Sequence, residues 1–231
     1  MQAVSLREDR LAALSPRYQP ARHVLLPTAF GALVVVGCAF LLKDLRLIEL
    51  CTVPAVFLFA NACEWHLHRD ALHKRLQFMP SLYDRHTPIH HCIYTREDME
   101  LRDWRELAFI LIPPWAGMVL CAALLPIACA LALALSPNAA LLFLATCMAY
   151  VVSYELLHMS YHFPQRSFVG KNPLIRALAR HHSVHHDPRN MQMYNMNVTL
   201  PLWDIVRGTR LPFAAPTSHC APKPADAPVI R

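Results

Sequence analysis

The sequence predicts an all-α integral membrane protein: four transmembrane helices in two hairpins, with a cytosolic helical cap that holds a dimetal histidine site. Three observations carry that prediction. Of 231 residues, 55% are hydrophobic and only 16% charged, and the apolar excess is gathered into blocks instead of being spread as in a soluble domain. Ten of the fourteen histidines fall into four tight clusters, each just outside an apolar block. The lysines and arginines, finally, are sorted along the chain in a way that gives the blocks a common inner side.

Residues 1–22 form a charged lead-in. His23 to Leu42 follows as a charge-free run of 20 residues, about 30 Å long as a helix and matched to the hydrocarbon core. Leu50 to Cys63 is a shorter run between Glu49 and Glu64. It is expected to span if Glu49 snorkels outward and the helix continues into water through Glu64-Trp65-His66-Leu67-His68-Arg69; a re-entrant hairpin is the alternative. Residues 23–63 are thus the first hairpin and 64–106 a charged, histidine-bearing insert.

The second hairpin, 107–157, contains 48 residues from Leu107 to Tyr154 without a single charge, enough for two crossings, with Ser136-Pro137-Asn138 as the break. Residues 158–210 carry the remaining clusters. Within them Asn172-Pro173 reads as an N-cap and first-turn proline that open a helix, with Arg176 and Arg180 placed to meet lipid phosphates. Residues 23–210 therefore make one membrane domain. The Pro/Ala-rich stretch 211–231 is expected to be disordered.

Four Lys/Arg lie in residues 1–22, seven in 64–106 and nine in 158–231, with only Lys43 and Arg46 in the connector after the first span. By the positive-inside rule both termini and the central insert are cytoplasmic, which puts every histidine cluster on one face. The net charge of +6 is spread by membrane side and forms no basic stripe, so nucleic acid is not the expected partner. No cleavage-site pattern follows the first apolar run, which is read as a retained anchor. The eight cysteines include no CxxC and are read as small core residues.

The clusters are His68/His73, His86/His90/His91, His158/His162 and His182/His185/His186. An isolated histidine is ordinarily a solvated side chain, but histidines four apart project from one helix face and can share an ion. Ten imidazoles exceed what one metal takes and suit two adjacent ions with four or five nitrogens each. His68 and His73, five apart, sit about 140° apart on an ideal helix, so they either reach different metals or require a local distortion. Glu64 and Glu155, four and three residues before a histidine, are read as acceptors for imidazole N–H groups, which orient a ligand and raise its basicity. For Glu64 a plain salt bridge is an equal alternative. His66 and His181 are candidates for the same outer layer, and His23 and His219 are read as structural or disordered.

The segments His68-Arg-Asp-Ala-Leu-His73, His86-Thr-Pro-Ile-His90-His91, His158-Met-Ser-Tyr-His162, His182-Ser-Val-His185-His186 and Asn195-Met-Asn-Val-Thr-Leu-Pro-Leu-Trp-Asp204, closing on Gly208-Thr209, resemble the fatty acid hydroxylase/sterol desaturase superfamily of membrane di-iron enzymes. They cover roughly residues 60–210 in the family's order. The resemblance implies two iron ions, replaceable by zinc in purified material, with the ten clustered histidines as ligands and Asn195 and Asp204 as outer partners or helix caps. It implies an oxygen-dependent monooxygenase that hydroxylates a C–H bond of a lipid, with a desaturase of lipids, sterol-like compounds or carotenoids as the nearest alternative. Electrons would come from a separate donor, a ferredoxin or a cytochrome-b5-like protein with its reductase. Asn197 and Arg207 depart from the family pattern, which usually has glycine and an aromatic residue there, so the substrate is not read from that segment.

Trp104, Trp115, Trp203, Tyr154 and Tyr161 are candidates to line an access path, although interfacial anchoring is the commoner role. A metal transporter or metal-binding membrane protein is the rival from another class; it would be expected to place ionisable ligands at mid-membrane, and the 48-residue block has none. A two-span haem carrier would need histidines at both faces. The Ala-, Leu- and Arg-rich composition points to a bacterial inner membrane.

Overall fold

A computed structural model describes residues 2–213, and within them the fold is helical with no strands; Thr95 and Asp98 form a single isolated bridge. A short helix α1 (Gln2–Ala12) precedes α2 (Pro20–Leu41), and a 3-10 turn (Leu47–Cys51) leads into α3 (Thr52–Leu67), which runs on as a π turn (His68–Leu72). Short helices follow: α4 (Pro80–Arg85), a π turn (His86–His90), α5 (His91–Ile93), a 3-10 turn (Trp104–Glu106) and α6 (Leu107–Ile110). The long helices α7 (Ala116–Ala134) and α8 (Pro137–Tyr161) come next, then α9 (Pro173–His185) and α10 (Leu202–Arg207). The stretch 214–231, where most of the expected disordered tail and His219 fall, lies outside the described residues.

Four helical stretches are long and apolar enough to cross a membrane: Pro20–Leu41, Leu47–Leu72, Ala116–Ala134 and Pro137–Tyr161. Their apolar side chains point outward; Phe40 is 84% exposed and Leu133 91%. That is the pattern of helices solvated by lipid, where outward leucines carry no penalty.

α8 is the hub of the bundle. α2, α3 and α7 all pack against it, and the first pair, α2 and α3, meets chiefly through α8 and not as a hairpin packed on itself. The closeness of α2 to α8 depends on Gly31, where a Cβ would run into Val152. The second pair starts later than the charge-free run suggested. Pro113 and Pro114 follow Leu111, whose backbone is extended, so the helix breaks after α6 and α7 begins at Ala116. The skipped residues Leu107, Ala108, Ile110 and Leu111 are buried beneath the histidines.

At the far end of the bundle Glu49 is buried, contrary to the outward snorkelling expected of it. Its carboxylate accepts from Ser136 Oγ (2.5 Å), Asn138 Nδ2 (3.1 Å) and the Arg46 backbone (2.8 Å), and Asn138 also bonds the Lys43 backbone. Two connectors are thus tied together by polar groups that meet each other's needs. At the opposite end α9 opens as expected, with Asn172 Oδ1 accepting from the backbone of Leu174 and Ile175. α10 closes on Gly208, which takes the left-handed conformation (φ 66°) that ends a helix.

Candidate metal centre

All ten clustered histidines converge at that end of the bundle, and they sort into two groups of five. His68, His73, His86, His91 and His185 form the first ring; His90, His158, His162, His182 and His186 form the second. Within each ring the ligand atoms lie within 4.8 Å of one another, and all ten residues are buried.

The two π turns explain how neighbours in sequence are dealt out. The His73 N–H bonds the His68 carbonyl and the His91 N–H the His86 carbonyl, so residues five apart are brought onto one face. The His68 and His73 rings stack with centroids 5.1 Å apart, which resolves the 140° expectation in favour of a local distortion. His86 and His91 accordingly share the first ring, and His90 is left to the second. On α8 and α9 ordinary spacing of four puts His158 with His162 and His182 with His186, while His185 turns to the first ring.

Hydrogen bonding fixes which nitrogen faces inward. His68 Nδ1 bonds Met196 O (2.6 Å), His185 Nδ1 bonds Tyr194 O (3.0 Å), His186 Nδ1 bonds Tyr94 O (2.6 Å) and His162 Nδ1 bonds Met99 O (2.9 Å). A carbonyl only accepts, so each of these rings carries its proton on Nδ1 and turns a bare Nε2 lone pair inward. His73 does the same toward Thr87 Oγ1 (3.1 Å), whose own proton goes to Leu72 O. Within each ring the Nε2 atoms of neighbouring imidazoles stand 2.9–3.2 Å apart, as in His68–His86, His73–His185 and His91–His86 of the first and His158–His90 and His186–His182 of the second.

This donor set fits a metal ion. With metal–nitrogen bonds of about 2.1 Å, neighbouring ligands stand about 3.0 Å apart and opposed ones about 4.2 Å, close to the spacings present. Burial drives the pKa of His86, His90, His91, His182, His185 and His186 well below the ordinary value, that of His73 down to about 2 and that of His162 to about 4, with neighbouring imidazoles adding to the effect for most of them. The rings are therefore neutral at pH 7, the state in which imidazole binds a metal. The donors are all nitrogen, a set that suits iron, zinc, copper or nickel.

The acidic residues do other work than expected. Neither Glu64 nor Glu155 accepts from an imidazole. Glu64 takes the backbone N–H of Val198 and Thr199, the Thr199 hydroxyl and the Tyr150 phenol. Glu155 takes the Ile112 N–H (3.0 Å), and its other oxygen is buried without a partner. Backbone carbonyls and one threonine hold the imidazoles instead.

Asp204 accepts from the backbone of Met196 and Asn197, from Trp65 Nε1 and from the Thr209 hydroxyl. Together Glu64 and Asp204 therefore receive four consecutive backbone N–H groups, 196 to 199, and fix the strap whose carbonyls hold His68 and His185. Asn195 turns that strap, with φ of 55°, and its side chain bonds the His181 carbonyl and both backbone groups of Leu211, the first residue of the stretch expected to be disordered. The departure at Asn197 is part of the same lock: its side chain accepts from the Asp204 N–H and donates to Asn61 O. Arg207 lies over the Trp65 ring, outside the rings of histidines.

His181 pairs with Asp204 at 3.3 Å and His66 with Asp70 at 3.8 Å, and His23 bonds Tyr18 and the Ile112 carbonyl. None of these three joins a ring. Tyr161 donates to Val198 O, Tyr154 lies beside the His158 ring, and Trp104 and Trp115 are exposed. Tyr94 was not singled out by the sequence; it is fully buried, its ring is 4.4 Å from that of His162, and its phenol donates to Glu106 at 2.8 Å.

Comparison with known proteins agrees with the geometry. A family model described as Fatty acid hydroxylase matches residues 53–209, more than half of the chain and a range that contains both rings. No curated protein and no solved structure matches.

Proposed function

The chain belongs to the fatty acid hydroxylase family, and from that premise we propose that it is a membrane monooxygenase that hydroxylates a C–H bond of a lipid acyl or related chain. The observation that carries this reading is the convergence of ten buried imidazoles into two five-nitrogen rings at one end of four apolar helices.

The first ring would hold one iron and the second ring the other. When bound, the irons supply the activation of dioxygen and the oxidising power to take hydrogen from an unactivated C–H bond, with electrons from a separate donor. The residues of the chain provide the rest. The Nδ1 protons that His68, His162, His185 and His186 give to carbonyls, and His73 to Thr87, fix the tautomer and direction of those five imidazoles before any metal arrives, so they need little reorganisation on binding. Being neutral, the ten imidazoles would add no negative charge to bound irons.

Water is excluded by the packing around the rings, since Ile93, Met196 and Trp65 are essentially inaccessible. An apolar cavity of about 470 Å³, lined by Pro20, Val24, Trp104, Leu107, Met159 and Phe163, lies between the start of α2 and the end of α8. It is placed to receive an alkyl chain directly from the bilayer, and in this reading the histidine end faces the cytoplasm, where reductants are available.

Expression in a host lacking the activity, followed by lipid analysis under ¹⁸O₂, tests the proposal. The expected result is a product heavier by one ¹⁸O atom that disappears with His158→Ala. A product carrying a new double bond and no label would favour desaturation, and an unchanged lipid pool with metal movement across vesicles would favour transport.

A further inference from the structure

The second ring is braced by a turn that the N-terminal helix holds in place. His186 and His162 hand their Nδ1 protons to Tyr94 O and Met99 O, the two ends of a turn closed by the Thr95–Asp98 bridge. The carbonyls immediately outside those two, Ile93 O and Glu100 O, both accept from one side chain, Arg7 on α1, at 3.2 Å each. Tyr94 is extended (φ −106°, ψ 107°), so the carbonyls of residues 93 and 94 on either side of it point to opposite sides. Holding residues 93 and 100 toward α1 therefore turns residues 94 and 99 toward the histidines.

Arg7 is built in, not incidental. It is 4% exposed, pairs with fully buried Glu106 at 3.1 Å, and lies over the Tyr94 ring, whose phenol donates to the same carboxylate. Arg7 lies outside the family-matched residues 53–209 and 61 positions before the first clustered histidine, His68.

We propose that Arg7 is a positioning residue for the second histidine ring, acting with Glu106 to aim the Tyr94 and Met99 carbonyls, and that the first ring, braced by Glu64 and Asp204, does not depend on it. This rests on the two-metal reading of the rings.

The test is the release of iron from the full-length protein to a chelator, followed in time, with bound iron per chain as the starting value. Wild type is expected to start with two irons. Arg7→Met paired with Glu106→Gln removes both buried charges together, so that no lone charge is left to unfold the chain. It should release one iron about tenfold or more faster and leave the other unchanged. Arg7→Lys, which keeps the charge but cannot reach both carbonyls and Glu106, should show a smaller acceleration of the same phase. In a His182→Ala background, where the second ring is already broken, the paired change should add nothing, while Glu64→Leu, which takes the acceptor from the strap, should still speed release of the remaining iron.

Equal acceleration of both irons, or none, would overturn the assignment of Arg7 to the second ring. A wild-type chain with fewer than two irons would instead overturn the two-metal reading on which it stands.

Discussion

The two rings have the same inventory of five buried imidazoles, yet they are held differently. The first is braced through a strap whose four N–H groups end on two buried carboxylates, and three of its histidines have a settled Nδ1 partner: Met196 O, Thr87 Oγ1 and Tyr194 O. The second has two settled partners, Tyr94 O and Met99 O, while Nδ1 of His90, His158 and His182 is buried without one, against that of His91 alone in the first. The candidate ligands and the groups that hold them rigid thus come from separate parts of the chain. The second ring is also left with more imidazoles that lack a fixed partner than the first.

The largest effect is expected from breaking a ring outright. His186→Ala should remove a ligand and abolish product, a loss of more than about a hundredfold, with His66→Ala as a neighbour that leaves metal content and product intact; equal losses in both would mean the rings are not the working centre. Breaking the strap comes next. Glu64→Leu would leave the buried N–H groups of Val198 and Thr199 without their acceptor, at a cost of about 3 kcal/mol in unfolding free energy. Unchanged thermal unfolding would show that the strap does not rely on the carboxylate.

Acid should separate folded from unfolded protein through the same rings. A histidine held neutral by folding binds its proton only in the unfolded chain, so the metal-free protein is expected to lose stability as pH falls below about 6.5, by about 1.4 kcal/mol per pH unit per histidine. For His162 the loss should continue to about pH 4 and for His73 to about pH 2. A stability flat from pH 7 to 5 would contradict the burial of the rings. The smallest effect belongs to Thr87→Val, which removes one hydrogen bond from His73 and should cost about 1 kcal/mol, weakening metal retention at the first ring alone.

Much of the plan was legible because it is written in strong, local signals. Charge-free runs gave the spanning helices, Asn172-Pro173 gave the start of α9, and clustered histidines gave the ligand candidates that the fold brings together. The division of those histidines between rings was not legible, because it depends on two π turns that an α-helical reading of the spacing cannot supply. The supports were missed for a related reason. Glu64 and Glu155 have the right spacing to reach imidazoles, but the structure uses carbonyls of Tyr94, Met99, Tyr194 and Met196, and every residue type has a carbonyl. Arg7 and Glu106 meet only through tertiary packing, 99 positions apart. Glu49 looked like a snorkelling end group because its partners, Ser136 and Asn138, belong to the other connector.

X-ray absorption at the iron edge of detergent-purified protein, with iron counted per chain, addresses the central claim most directly. The account predicts two irons per chain, each in a shell of about five imidazole nitrogens near 2.1 Å, with one lost in His158→Ala and the first-ring iron retained. A single metal per chain, or a shell dominated by carboxylate oxygen or thiolate sulfur, would contradict it.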